Sequence, residues 1–563
     1  MNSLARRLAW GVFVFTLLAL APRAATAQDL SAPAYKISYT ISMPQPASHL
    51  FEVTVKVETP GRGKEVEFQM PRWSPGRYAV FDFAKNVQEV KATTACPADV
   101  KCEPMSLPVE RLDTQTWRVT SPVQPSVITG VSGVALTYKV FADDLSGTFS
   151  QLDARHANFN GGSVFVYVVG HKQDPASLRV EAPQGWKIIN GHTTRPDQSD
   201  FEFPNYDELI DTPTEVAPDF TIQSFEVGGK TYRVVVHSLG PEGGHRDELF
   251  KAVERIVRAE VAEIEPPEFG QYTFLFHFDP SARRGDGMEH LNSTQIIETG
   301  ALADQRVLDS AIGTAAHEFF HNWNVKRLRP VGLGPWDFTR PVVTQGLWIA
   351  EGFTNYYGKL SLRRAGIWND ADLFKSYAGA IGGIESSPGS RLTSAVESSI
   401  LAPFIDRGSS DQRTNLSNTV VSYYPKGETL AVALDLLIRG RSHGRASLDD
   451  VMRRAYEEFY LKSPNDSYYL RGRAYTVEDF RRVASEVAGF DLSDFFRRHV
   501  YGVEPPPYDE AFAYVGLRLV RSPEEKEQNT AAPAARTAYR IEEDAHATPE
   551  ARALREAWLK GSK

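Results

Sequence analysis

The hydrophobic rhythm of this chain changes once, near residue 240, and that change sets its class. From about Tyr35 to Val236 apolar and polar residues alternate, as in Tyr35-Lys36-Ile37-Ser38-Tyr39-Thr40-Ile41 and Phe51-Glu52-Val53-Thr54-Val55-Lys56-Val57. A period of two belongs to strands with one buried face. Turn pairs at Pro60-Gly61, Pro75-Gly76, Gly161-Gly162 and Asn190-Gly191 divide this region into short segments, the pattern of an antiparallel sandwich. From near His245 the apolar residues Leu249, Val253, Ile256, Val257 and Val261 recur at helical steps. A strand-like stretch, Tyr272 to Phe278, and a Gly-rich turn at Gly285-Asp286-Gly287 follow. Helices are then expected near 307–325, 345–363, 427–440, 447–461, 476–487 and 492–500. Strands first and helices second make an α+β chain.

The first 27 residues read as a secretion signal. Arg6 and Arg7 precede an apolar run from Leu8 to Leu20, and Ala25-Thr26-Ala27 offers a cleavage point before Gln28. That run is short of the roughly 20 residues a bilayer span needs, which favours cleavage over an anchor. Losing Arg6, Arg7 and Arg23 takes the formal charge from -9 to -12. A modestly acidic chain offers no basic stripe for nucleic acid or anionic lipid, and no later segment is apolar enough to hold it in a membrane. The expected destination is a bacterial periplasm or the medium. Cys96 and Cys102 flank Pro97 six positions apart, and in an exported chain they are expected to form a small surface disulfide rather than remain free thiols. Some 536 residues exceed one hydrophobic core, so two or three domains are expected.

The helical half contains His317-Glu318-Phe319-Phe320-His321 after Ala311-Ile312-Gly313-Thr314-Ala315-Ala316. On a helix, histidines four apart project from one face one turn apart, so both imidazoles reach one ion, and Glu318 lies beside them. Catalytic zinc takes three protein ligands and keeps one position open. So short a motif can arise by accident in a chain of 13 histidines, which makes the third ligand the test. A third histidine six residues beyond His321 is excluded, because Arg327 stands there. Two carboxylates remain within reach along the chain. Asp337 lies among Gly332, Gly334, Pro335 and Pro341, whereas Glu351 lies in the apolar, aromatic segment Leu347-Trp348-Ile349-Ala350-Glu351-Gly352-Phe353. A buried carboxylate there is costly unless paired or metal-bound, which favours Glu351. Asn322, Asn324 and Asp337 are all candidates to support the histidines, with nothing to choose among them.

At these residues the sequence resembles the gluzincin aminopeptidases, the superfamily that includes aminopeptidase N. Leu347 to Phe353 resembles their glutamate-ligand helix. Gly287-Met288-Glu289-His290 is similar to the Gly-x-Met-Glu-Asn strand, and Tyr424-Pro425-Lys426-Gly427 to the Tyr-x-Lys-Gly segment. The 29 residues between His321 and Glu351, the stretch from His317 to Pro330, and Trp73-Ser74-Pro75-Gly76-Arg77-Tyr78 resemble the glycyl aminopeptidase family in particular. The resemblance spans about 35–517. It implies an N-terminal antiparallel β-sandwich domain (28–238), a thermolysin-like α/β zinc catalytic domain (239–366) and a C-terminal α-helical domain (367–505). Residues 506–563 form a tail, with 521–550 expected in part as solvated loop and Ala551 to Leu559 as a closing helix. Members of this family commonly carry a PDZ domain, for which the 46 residues after Leu517 are too few.

The resemblance also implies roles. One zinc ion per chain is held by His317, His321 and Glu351, with Glu318 as general base. Tyr424 stabilises the transition state, although Tyr423 is its rival, and both tyrosines are also plausible core residues. Glu289, presented by Gly287 and Met288, grips the free amine of a peptide substrate whose first residue is small, glycine or alanine. Trp73 and Tyr78 are expected to build the sandwich rather than the site. The competing readings are a zinc endopeptidase with a structural Glu289, and a non-catalytic peptide-binding protein stabilised by its metal. No Gly-x-Ser-x-Gly elbow occurs, which argues against a serine hydrolase.

Overall fold

Lys36–Ser42 pairs antiparallel with Leu50–Glu58, so that Ile37, Tyr39 and Ile41 oppose Val57, Val55 and Val53 on one buried face. The alternating residues read from the sequence thus define the register directly. A computed structural model of the chain describes residues 34–58, 64–96, 102–123, 125, 131–406, 416–523 and 537–561. The signal segment 1–27 lies outside the described residues. The first two strands belong to a seven-stranded sheet ordered Asp200–Phe203, Ala176–Glu181, Lys36–Ser42, Leu50–Glu58, Gly133–Phe141, Val87–Ala95 and Ser106–Leu107. Lys36–Ser42 runs parallel to Ala176–Glu181, so the region is not antiparallel throughout. The long excursion between these two strands replaces the hairpin that an antiparallel pair would use. Two four-stranded sheets complete the β-rich region. Cys96 and Cys102 are joined in a disulfide, with Cα atoms 6.0 Å apart.

The sheet that carries the site starts earlier than the boundary expected at residue 238. Its order is Thr221–Val227, Lys230–Ser238, Gln271–Phe278, Ser293–Glu298 and Asp286–Glu289. The middle three strands are parallel and both edge strands antiparallel. Val234-Val235-Val236 is buried on both faces, as befits an inner parallel strand, and its loss of alternation is the sequence sign of the change. Helix Arg246–Glu263 crosses from Lys230–Ser238 to Gln271–Phe278 and buries Leu249, Val253, Ile256 and Val257.

Helix Gln305–Phe320 follows the strand Ser293–Glu298. Glu351 then separates two helical segments, Leu347–Ala350 and Gly352–Arg364. Helix Tyr423–Arg441, capped by Ser422, packs across them. The closest approach is between Gly352 and Gly427, where a Cβ on either residue would overlap the other's backbone. A further helix, Asp370–Ser386, was not anticipated. Its capping box at Asn369 and Asp372 is clear, but Gly379, Gly382 and Gly383 dilute its helical signal.

Of the stretch expected in part as solvated loop, 524–536 lies outside the described residues; the flanking residues and the closing helix are structured. Leu517–Pro523 and Thr537–Glu543 pair as a hairpin, and Pro549–Lys560 is a helix whose Trp558 is fully buried. Trp558 Nε1 donates to Tyr356 Oη at 2.8 Å, and Tyr356 Oη donates to Asp435 Oδ2 at 2.5 Å. The tail therefore braces the helix that follows Glu351. Among the described residues no helix is long and apolar enough to cross a membrane.

Candidate functional site

Helix Gln305–Phe320 brings His317 to its last turn and ends at His321, so the two imidazoles face the same side with Nε2 atoms 3.0 Å apart. Glu351 Oε2 lies 3.6 Å from His317 Nε2 and 3.4 Å from His321 Nε2. Three ligands of a tetrahedral zinc, each bonded at about 2.0–2.1 Å, stand roughly 3.3 Å from one another. The three side chains thus fit that ion in donor type and in spacing. The rival ligand Asp337 is elsewhere, its carboxylate accepting from Thr339 N at 3.0 Å and pairing with Arg340 Nε at 2.7 Å in an exposed turn.

His321 is oriented by backbone. His321 Nδ1 donates to the Asn324 carbonyl at 2.7 Å, which leaves Nε2 free to ligate. The Asn324 amide in turn donates to Ile349 O at 2.9 Å and Ala350 O at 3.2 Å, tying the loop after His321 to the segment before Glu351. Asn322 instead caps the helix through Phe319 O. Of the three candidates, Asn324 is the support, through a carbonyl that no side-chain pattern encodes.

Tyr78 was expected in the sandwich. Its Oη instead donates to Glu351 Oε1 at 2.5 Å, leaving Oε2 toward the histidines. The Pro75-Gly76 turn makes this reach possible. Gly76 has φ +83°, and a Cβ there would overlap Met288 Sδ and stand 2.9 Å from Glu289 Oε2. Beside the turn, Arg77 pairs with Asp286 at 2.5 Å, both buried, and fastens it to the edge strand Asp286–Glu289. Trp73 does pack as an aromatic core residue, against Trp336 and Phe338, and donates to Asp337 O at 3.0 Å.

The edge strand also meets the metal helix. A Cβ at Gly287 would overlap Glu318 Oε1 and stand 2.7 Å from Thr314 Cγ2, so glycine lets the strand and the carboxylate touch. Glu289, Glu318 and His321 each place one donor atom within 4.8 Å of the others. Met288 is buried beneath Gly76 and Gly147, so its side chain is packing. Burial raises the Glu318 pKa; His321 opposes the shift, and the charges of Glu289 and Glu351 add to it. Burial raises the Glu351 pKa as well, but His321 and His317 overcome it and hold that carboxylate well below the usual range.

A cavity of about 630 Å³ opens over His317 and Glu318, lined also by Gly287, Asn355, Tyr423 and Tyr424. The Tyr424 ring lies 6.3 Å from that of His317, whereas Tyr423 is fully buried and packs edge-on against Tyr78. Burial, then the charge of Glu351, keeps the Tyr424 phenol protonated. Glu289 also borders a separate space of about 10 Å³, lined by Tyr78, Lys326, Arg329, Leu333, Trp336 and Tyr469.

Two family profiles match this chain: the peptidase M61 N-terminal domain over residues 38–218 and the M61 glycyl aminopeptidase over residues 310–430. Together they span just over half of it. The structure is similar to that of an aminopeptidase N family protein from Idiomarina loihiensis, with 26% identity and a TM-score of 0.76, over 88% of this chain and 82% of that one. An M1 zinc metallopeptidase from Deinococcus radiodurans, solved with a Tyr-Ser-Ala substrate, aligns at 14% identity and a TM-score of 0.49, over 84% and 95% of the two chains. No curated protein matches. With both halves of one family matched in order along a single chain, this protein belongs to the M61 glycyl aminopeptidases and is a metallopeptidase.

Proposed function

We propose that the protein is a zinc aminopeptidase that removes a small first residue, glycine or alanine, from peptides with a free amino terminus. The observation that carries this reading is the position of Glu289, a second carboxylate beside Glu318 and His321, at the end of the edge strand whose Gly287 lines the cavity. An endopeptidase has no need of an anion there, whereas an exopeptidase must pair the substrate's α-ammonium. The preference for a small first residue is supported by the match to the glycyl aminopeptidase profile over residues 310–430.

His317, His321 and Glu351 would hold the zinc, which when bound polarises a carbonyl and makes water a nucleophile near neutral pH. Tyr78 fixes the Glu351 carboxylate with Oε2 presented. Glu318 takes a proton from the attacking water as the new C–O bond forms, and delivers it to the leaving nitrogen as the C–N bond breaks. Its raised pKa suits that exchange. Tyr424 donates a hydrogen bond to the carbonyl oxygen as negative charge develops, and its phenol stays protonated to do so. The signal segment and the disulfide support an exported enzyme, periplasmic or secreted; N-terminal sequencing of the mature chain from its host, with Gln28 first, would test that.

Hydrolysis of glycyl- and alanyl-p-nitroanilide, beside the same compounds N-acetylated, tests the reading. Cleavage of the free-amine compounds alone, abolished by a zinc chelator, is expected. Equal cleavage of the acetylated compounds would make the protein an endopeptidase and leave Glu289 structural.

A further inference from the structure

A second group of metal-ligand side chains lies where the β-rich region meets the catalytic sheet. His156, Glu215, His237 and His277 are all buried, and each offers one donor atom within 4.8 Å of the others. His156 precedes strand Ala157–Phe159, and Glu215 lies on its neighbour Thr214–Ala217. His237 and His277 are register partners on the parallel strands Lys230–Ser238 and Gln271–Phe278. Four strands thus converge.

Three ring nitrogens and one carboxylate crowd about a single point. His156 Nδ1 is 3.1 Å and His237 Nδ1 2.9 Å from Glu215 Oε1, His277 Nδ1 is 3.7 Å from Glu215 Oε2, and the last two Nδ1 atoms are 3.3 Å apart. These separations bracket the roughly 3.3 Å edge of a tetrahedral zinc site. The outer atom of His156 sets its tautomer. His156 Nε2 faces Gln151 Oε1 at 2.9 Å and His237 Nε2 faces Asp219 Oδ1 at 3.3 Å. Gln151 Oε1 only accepts, so the His156 ring keeps its proton on Nε2 and turns a bare Nδ1 lone pair inward, toward a carboxylate that also only accepts; among the described residues His237 Nε2 and His277 Nε2 have no hydrogen-bond partner, which leaves either outer nitrogen able to carry the proton while Nδ1 faces the cluster. Neutral rings would then repel Glu215, and protonated rings would place two or three cations beside one buried carboxylate. One divalent ion satisfies all four donors. The carboxylate is itself held for that purpose: Asn158 Nδ2 donates to Glu215 Oε2 at 2.8 Å, and Gln295 Nε2 to Asn158 Oδ1 at 2.6 Å.

We infer that His156, His237 and His277 through Nδ1, with Glu215, form a closed four-ligand site for a second divalent transition-metal ion, zinc by donor set, that clamps the β-rich region to the catalytic sheet. Four protein ligands leave no open position, the mark of a structural rather than a catalytic zinc. Imidazole and carboxylate suit zinc, and the absence of thiolate removes the preference for softer ions. Asp219, two-thirds exposed behind His237, puts one edge of the site near solvent.

The test is metal content of the full chain, expressed with added zinc and measured by inductively coupled plasma mass spectrometry. Two zinc ions per chain are expected in the wild type and one in a His317→Ala/His321→Ala variant, which leaves the second site untouched. X-ray absorption at the zinc edge of that variant should show four nitrogen or oxygen neighbours and no water-rich shell. No metal in that variant, or a six-coordinate hydrated ion, would overturn the inference. Retention of the remaining ion after adding His156→Ala and His277→Ala would overturn it too. A variant that fails to fold does not rescue it, because the first stoichiometry alone decides.

Discussion

Two histidine clusters in one chain, built from the same kinds of side chain, differ in what they leave open. His317, His321 and Glu351 supply three donors beside a cavity of about 630 Å³, lined also by Glu318, Tyr423 and Tyr424. His156, Glu215, His237 and His277 supply four, buried among strands, with amide and carboxylate partners behind them. The count of donors and the access to solvent, rather than the residue types, separate a site able to do chemistry from one able only to hold. The difference extends to the supporting shell. Tyr78 reaches the open site from another region and fixes one oxygen of Glu351, whereas Asn158 fixes Glu215 from the neighbouring strand.

Breaking each cluster should therefore have opposite consequences. His317→Ala is expected to reduce hydrolysis to background while the thermal midpoint changes little. His277→Ala is expected to lower the midpoint on the order of 10 °C, as loss of a structural ion removes folding energy. Calorimetry and peptide hydrolysis on both variants check this, and an unchanged midpoint for His277→Ala would erase the distinction. Within the open site, Tyr424→Phe should lower kcat about 10²- to 10³-fold with KM nearly unchanged, the usual cost of one lost transition-state donor. Tyr423→Phe should stay within a few-fold; the reverse ranking would transfer the role to Tyr423. A smaller effect is expected of Tyr78→Phe, roughly 10- to 100-fold in zinc affinity or activity, as for other partners of metal ligands. Titration with a chromogenic chelator reads it, and full affinity with full activity would show that the Tyr78 contact orients nothing. The smallest effect on chemistry belongs to Trp558→Ala. It should cost about 3–5 kcal/mol of stability by cavity formation and leave zinc content intact. Denaturant unfolding measures the first, and a loss under 1 kcal/mol would deny the tail its bracing role.

The same contrast explains what could be read from the sequence. His317 and His321 stand one helical turn apart, so their proximity is local, and Glu351 declared itself as a lone carboxylate in an apolar segment. The second cluster has no local spacing: 59 positions part His156 from Glu215, and 40 part His237 from His277. The available sign was an imidazole inside each of two buried strands, Lys230–Ser238 and Gln271–Phe278, where it needs a partner. Tyr78 was misassigned because nothing in Trp73-Ser74-Pro75-Gly76-Arg77-Tyr78 says where the turn points. Only the contact of Gly76 with Met288 and Glu289 does. The alternation that gave Lys36–Ser42 and Leu50–Glu58 their faces disappears in Lys230–Ser238, and the expected domain boundary slipped past two strands for that reason. Asn324 supports His321 through a backbone carbonyl, which side-chain chemistry cannot foretell.

The most direct measurement is the turnover of alanyl-p-nitroanilide by Glu318→Gln, with zinc content determined on the same sample. Amide for carboxylate keeps the shape against Gly287 and removes only the proton acceptor. Zinc content equal to wild type with kcat lowered on the order of 10³-fold is the expected result. Wild-type turnover at equal zinc content would contradict the assignment of this cluster as the site of chemistry.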